Sequence, residues 1–301
     1  MLSSLNPSAQ QFLNNLNTVI DLMARAQQEV SSGLKVSQVS DAPDSISLLL
    51  QAHANLSSTG QTLANLGRVK TEVDSGEQAL ESAVRLLEQA HTLGAQGASG
   101  IQTAASRTAI AQQLDSIAQE MVALAGTNVE GRYIFSGDSD QQVPYTYNAA
   151  LVNPVSAYLG SASTRLVQHP NGTTFSVALT ARQIFDSPTP GDNVFTAIEN
   201  LSAALKANND PAIQAAVGAM PAVDDYLNTQ LASYGVIQNK VADATRYGQT
   251  LQVQLQTELS GLQDADPTQA ILQMTQAQTQ EQAALQSEAR LPRTTLFDYL
   301  G

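Results

Sequence analysis

Residues 11–33, QFLNNLNTVIDLMARAQQEVSSG, carry Phe12, Leu16, Val19, Met23, Ala26 and Val30 at alternating steps of four and three. Residues 237–262, IQNKVADATRYGQTLQVQLQTELSGL, place Ile237, Val241, Ala244, Gly248, Leu251, Leu255 and Leu262 on the same lattice, with Glu258 as its one polar member. An apolar stripe that repeats every 3.5 residues cannot be buried by the helix that bears it. It needs a second helix, and the other end of the same chain is the nearest candidate. The spacing therefore predicts a mainly α protein with a small β insertion. Its expected architecture is an elongated antiparallel helical bundle or coiled coil formed by the N- and C-terminal segments.

Working outward, the first helix is expected over 8–32, closed by Gly33 as its C-terminal stop. Ser40-Asp41-Ala42-Pro43-Asp44 then reads as a helix start, with a capping hydroxyl or carboxylate and proline in the first turn. The following helix carries Leu66, Val69, Val73, Gly76, Leu80, Ala83, Leu87 and Ala90, and exceeds forty residues. Gly94, Gly97 and Gly100 predict a turn, after which Ile110, Leu114, Ile117, Met121 and Leu124 mark another helix. From 131 to 190 the character changes to β-branched and aromatic runs bounded by Asn, Gly and Pro, which predicts four to six short strands. Among them are Arg132–Phe135, Val143–Tyr147, Thr164–Val167 and Thr173–Leu179. Short helices are expected over 195–205 and 211–216, a long one over 222–262, and a last one from Pro267 to Ala289, capped by Asp264 or Asp266. Three domains follow: 1–40 with 264–301 as a terminal helical assembly domain, 41–130 with 195–263 as a helical rod, and 131–194 as a small β-rich outer domain.

Composition narrows function. Charged residues make up 14% of the 301 residues, against about 25% in an ordinary globular chain. Gln, Asn, Ser and Thr fill the deficit, giving a surface that approaches copies of itself without repulsion. A net charge of −13 disfavours nucleic acid and anionic lipid, both of which require clustered Lys and Arg. No Lys or Arg precedes Arg25, and none lies between Arg246 and Arg290. Neither a basic leader with an apolar run nor a membrane-length apolar stretch is present, so a soluble chain without a cleaved signal peptide is expected. With no Cys, disulfides, thiolate metal sites and cysteine nucleophiles are excluded.

The candidate chemistry is thin. His53, His91 and His169 have no acid or histidine at ligand spacing. Asp138 and Asp140 lack the further fixed acids of an EF-hand and read as a polar turn. Asp264 and Asp266 precede Pro267 and read as a helix cap. The glycines at 94, 97 and 100 have no following Lys-Ser or Lys-Thr, and no Gly-x-Ser-x-Gly elbow occurs. Asn55, Asn171 and Asn200 match the glycosylation triplet, a pattern common by chance. No enzyme, cofactor or metal is expected. What remains is packing: the segments 5–30 and 267–300 read as intermolecular surfaces that order on assembly, whereas 66–124 reads as one subunit's own core.

Several ordered motifs resemble one family. Ser31-Ser-Gly33-Leu-Lys-Val followed by Ser40-Asp-Ala-Pro43-Asp is similar to the N-terminal signature of flagellins and hook-associated proteins, with Ala42 where a second Asp is usual. Thr92-Leu-Gly-Ala-Gln-Gly-Ala-Ser-Gly100 is similar to that family's next turn. Asn128-Val-Glu-Gly-Arg-Tyr133-Ile-Phe-Ser-Gly137 resembles the closing motif of the members that join hook to filament. Asp264-Ala-Asp266 and the tail through Leu296-Phe-Asp-Tyr-Leu300 fit its C-terminal helix. The resemblance implies a flagellin-like structural subunit of the bacterial flagellum, an adaptor ring between the hook-associated zone and the filament. It also implies export through the flagellar channel to an extracellular position. Implied partners are copies of the chain, the preceding hook-associated protein, flagellin, and a cytoplasmic export chaperone at the C-terminal helices. The residues expected at subunit contacts are Leu5, Phe12, Leu16, Val19, Met23, Leu285, Leu296, Phe297 and Leu300. A flagellin filament subunit and a secreted coiled-coil effector or adhesin are the alternatives.

Overall fold

The computed structural model describes residues 7–189 and 191–289. Seven α-helices and four short strands occur among them: α1 Pro7–Ser32, α2 Ile46–Gly97, α3 Ala104–Ala125, β1 Asn128–Val129, β2 Arg132–Tyr133, β3 Leu166–Gln168, β4 Thr174–Ser176, α4 Ala181–Phe185, α5 Val194–Lys206, α6 Asp210–Gln263 and α7 Pro267–Ala289. The chain divides into two compact units, Met1–Ser58 with Gln252–Gly301, and Thr59–Leu251.

In the first unit α1 packs along α7. Helix α1 stops at Gly33, whose φ of +72° is the left-handed conformation that glycine adopts without Cβ strain. The connection after it is tied to the α6–α7 turn. Lys35 donates its amide to the Gln263 carbonyl at 2.7 Å, Ala265 donates to Gly33 at 2.9 Å, and Leu34 bridges Asp264 in antiparallel fashion. Asp266 caps α7 as expected, its Oδ1 accepting the Thr268 amide at 2.8 Å, with Pro267 in the first turn, where no amide is required.

The segment 40–44 behaves differently from the expectation. Helix α2 begins at Ile46, and its first amide bonds go to the Ala42 carbonyl. The Asp41 carboxylate turns back to accept the amides of Gln38 at 2.7 Å and Ser37 at 2.9 Å, closing a short 3-10 turn over Val39–Asp41. Those two amides, Gln38 first, hold its carboxyl below the ordinary value of 3.8. A depressed folded pKa means the carboxylate supports the turn fully above that ordinary value. The support disappears as pH falls through the folded value. A carbon-detected titration should place the Asp41 midpoint below that of other exposed aspartates, and a midpoint at or above theirs would contradict the two-amide geometry.

The second unit has one apolar core. The line Leu66, Val69, Val73, Leu80, Ala83, Leu87 and Ala90 of α2 meets Ile110, Leu114, Ile117 and Met121 of α3, with Ile237, Val241 and Ala244 of α6. Helices α3 and α5 lie side by side. Gly94 and Gly97 do not break α2. They lie within it, because a Cβ at Gly94 would fall 2.7 Å from the Leu201 side chain and one at Gly97 2.5 Å from Leu205. Bare glycine backbone lets the α5 leucines seat against α2.

Helix α6 is also continuous where the sequence predicts two helices, with Pro221 inside it. An internal proline costs about 3 kcal/mol. Its neighbours Met220 and Val223, and Leu227 one turn on, are almost wholly buried, and each large side chain returns about 1.5–3 kcal/mol. Packing therefore outweighs the local break.

The predicted strands shrink to two antiparallel hairpins, β1 with β2 and β3 with β4. Val143–Tyr147 contributes only the bridge between Tyr147 and Val155. Aromatic burial organises this segment more than ladder hydrogen bonds do. Phe135 packs edge-on to Phe185 and Tyr234, and Tyr145 edge-on to Phe195. These rings share the helical core, and 131–194 lies within the second unit.

Candidate assembly surfaces

Among the described residues the titratable groups are dispersed. His53 is exposed. His91 lies 3.6 Å from Asp224, and His169 accepts the Asn171 amide at the β3–β4 turn. Asp140 pairs loosely with Arg132 at 3.5 Å, while Asp264 and Asp266 serve the α6–α7 turn. Among the described residues no group of three or more His, Asp or Glu is placed to hold a metal ion, and no helix is long and apolar enough to cross a membrane.

The terminal unit carries two distinct apolar lines. On α1 the apolar positions that lose exposure are Phe12, Leu16, Val19, Met23 and Ala26, with Ala26 fully buried, whereas Val30 at the end of the expected line is 40% exposed. On α7 they are Ala270, Met274, Ala277, Glu281 and Ala284. Both lines step by four and three, and the small Ala270 and Ala277 let the two backbones approach closely. The heptad seam thus has a partner inside the chain, and the expected contact residues Phe12, Leu16, Val19 and Met23 sit on it, half-buried. Of the remaining expected contacts, Leu285 is 50% exposed, while Leu5, Leu296, Phe297 and Leu300 lie outside the described residues. Along α6 the line passes through Leu255 to the half-buried Leu259 and Leu262, and Glu258 faces solvent.

The second line is bare. Leu13 and Ile20 stand seven residues apart on one flank of α1, 42% and 40% exposed, and Leu22, 52% exposed, lies on the opposite flank. Ile271, Leu272 and Leu285 are similarly exposed on α7, and Leu48 and Leu50 at the start of α2. Single exposed aliphatics are normal on any surface; a repeat along paired helices is a surface that a further helix can cover. Between Pro7 and Ala24 the only charged side chain is Asp21, and α7 has only Glu281 and Glu288. Electrostatic repulsion between copies is correspondingly small there. Sequence spacing reveals the Leu13–Ile20 pair but does not tell it from the seam, because both stripes have helical period.

Comparison with known proteins follows these elements. The family model for the bacterial flagellin N-terminal helical region matches residues 4–140, and that for the C-terminal helical region matches 213–300. Among solved structures, a candidate flagellar hook-associated protein from Vibrio parahaemolyticus superposes with a TM-score of 0.65 at 21% identity, covering 74% of this chain and all of that one. The flagellar hook associated protein-3 of Legionella pneumophila superposes at 0.61 and 12% identity, covering 72% of this chain and 98% of that one. At such identities the likeness is one of fold. Flagellin B of Helicobacter pylori strain J99 is 22% identical over 148 residues, 49% of this chain. The matched stretch spans only 29% of the length of that relative.

Proposed function

The chain belongs to the bacterial flagellin family, and from that membership we propose that it is the junction subunit of the flagellum, a ring of copies joining the hook-associated zone to the flagellin filament. The observation that carries the reading is the terminal unit, whose heptad seam is satisfied within the chain while a second aliphatic line is left uncovered. A subunit that satisfies one stripe internally and presents another has a surface ready for its neighbours. The fold likeness to hook-associated proteins supports the junction over the filament.

In this reading Leu13, Ile20, Leu22, Ile271, Leu272 and Leu285 meet adjacent copies, the preceding hook-associated protein and the first flagellin layer. The half-buried Phe12, Leu16, Val19 and Met23 set the width of the α1–α7 pair that presents them. Leu5, Leu296, Phe297 and Leu300, outside the described residues, are further contacts in this proposal. Before export, the bare line of α7 suits a cytoplasmic chaperone. The chain then travels through the flagellar channel to the cell exterior.

Deleting the gene should leave hooks that release unpolymerised flagellin into the medium. Hooks without filaments and without released flagellin would count against the junction role. Complementation with Leu13→Asp plus Ile20→Asp should leave the helix content of the purified chain unchanged. It should also reduce filaments per cell by at least about tenfold, since each lost large aliphatic contact weakens packing by about 1.5–3 kcal/mol. Full complementation by that variant would remove the outer line from the interface. A filament-subunit role predicts instead that purified filaments consist mainly of this chain.

A further inference from the structure

The second unit holds a hollow of about 330 Å³ beside α2 and the two hairpins, rimmed by Arg68, Glu72, Glu130, Arg132 and Arg165 over an apolar floor that includes Val69 and Val167. Three of the chain's fourteen basic residues gather here, in a protein with twenty-seven acidic ones. Their charges are used unequally. Arg165 forms an ion pair with Glu72, whose side chain is only 14% exposed, and that pair holds the start of the β3 hairpin to α2. Arg132 reaches Asp140 only at 3.5 Å and is 51% exposed. Arg68 donates to the neutral amide oxygen of Asn65 at 2.6 Å, and no carboxylate pairs with it among the described residues. Arg68 therefore has no carboxylate partner among the described residues, and Arg132 has only a long one.

Glu130 sets the kind of occupant. It occupies the two-residue turn between β1 and β2 with φ +52°, followed by Gly131 at +83°. That turn favours Asn, Asp or Gly, and glutamate adopts the left-handed region rarely. The Gly131 amide, donating to the Asn128 Oδ1 at 2.9 Å, holds the turn. The result is an exposed glutamate carried by a set turn at the rim that the arginines share. Residues kept in such a conformation cluster where the side chain's position is used. A bare polyanion such as phosphate meets repulsion from Glu130. A surface that alternates acid, base and acid matches the rim.

The chain itself presents such a surface. Glu81, Arg85 and Glu88 lie on α2 at i, i+4 and i+7, all exposed, with Arg85 donating to the Ser82 hydroxyl. At a rise of 1.5 Å per residue the two glutamates are about 10 Å apart along one helix face. We propose that the arginine hollow seats the Glu81–Arg85–Glu88 face of a second copy, the glutamates meeting Arg68 and Arg132 and Arg85 meeting Glu130. This rests on the reading that copies pack side by side. A local match of sign between copies fixes their register.

The test uses the purified full-length chain with Arg68→Lys and Arg132→Lys, mixed from ordinary and 15N-labelled batches and concentrated at low salt. Carbodiimide joins an ε-amine to a carboxylate it touches, with loss of one water. Mass spectrometry should find mixed-isotope peptides linking position 68 or 132 to Glu81 or Glu88. Their yield should fall at least about tenfold with Glu81→Gln plus Glu88→Gln, and should fall on raising salt. Circular dichroism checks that each variant stays folded. Links confined to one isotope, mixed-isotope links elsewhere only, or no links at all would each overturn the proposal. The gene-deletion phenotype reads the junction role separately, so either conclusion stands or falls without the other.

Discussion

Replacing Phe135 with alanine should destabilise the second unit by about 3–5 kcal/mol, the range for emptying a large aromatic site in a packed core. Phe135 has no exposed surface. Its ring lies edge-on to Phe185 at 6.3 Å and to Tyr234 at 6.0 Å, contacts that add to simple area burial. Its backbone is equally committed, the carbonyl accepting the Ala181 amide at 2.7 Å and the Tyr158 hydroxyl at 3.1 Å. These groups hold the surrounding walls in place, so little collapse can refill the cavity. The measurement is urea unfolding followed by tyrosine fluorescence, since Trp is absent and seven of the eight tyrosines lie between 133 and 247. The midpoint should fall with an unchanged slope. A loss under about 1 kcal/mol would mean that the site closes over the missing ring, against the geometry above.

Arg107→Met should be the second large loss, about 2–3 kcal/mol, although the substitution nearly preserves length and apolar stem. Arg107 is 4% exposed. Its Nε donates to the Gly97 carbonyl at 3.1 Å and its Nη1 to Asn208 Oδ1 at 2.6 Å, and the guanidinium forms an ion pair with Asp210 Oδ1 at 2.5 Å. One side chain on α3 thereby joins the last turn of α2 to the α5–α6 connection, where Asn208 sits at φ +50°. Methionine leaves those acceptors without a donor. The cost stays below that of breaking a fully buried pair because Asp210, 70% exposed, rehydrates. Arg107→Lys should recover only part of it, since an ammonium is a point charge and cannot span the three acceptors as a guanidinium fork does. Equal stability of the methionine variant and the parent in urea would remove this link from the account.

Where burial is decided by neighbours on the same helix, the sequence was readable. The lines through Leu66 to Ala90 and Ile110 to Met121 needed only period and polarity, and Gly33 and Asp266 end and start helices by local backbone chemistry. Reading failed where a distant residue outweighs a local signal. Gly94 and Gly97 look like breakers until Leu201 and Leu205, a hundred positions on, fill the space above them. Pro221 looks like a boundary until the burial of Met220 and Val223 holds the helix through it. Arg107, alone on its helix, resembles any solvated arginine; only the fold brings three acceptors to it. The proposed assembly surface was half visible. The pattern tells that α1 is apolar along one side, but Phe12–Met23 and Leu13–Ile20 are adjacent stripes, and only the packing of α1 on α7 reveals which one the chain keeps for itself.

The bonds joining Gly33 to Ala265 and Lys35 to Gln263 have a consequence for the order of events in time. They connect positions separated by roughly 230 residues, and no shorter-range contact substitutes for them, so this latch lies at the high end of contact order, where closure is slow. The second unit can condense as soon as its own helices are available. The latch must wait for residue 265. A chain threaded lengthwise through a narrow conduit, from whichever end, keeps its α1 seam unpaired until nearly all of it has emerged. On the proposed export route, completion of the terminal unit then marks, from within the molecule, the end of transit.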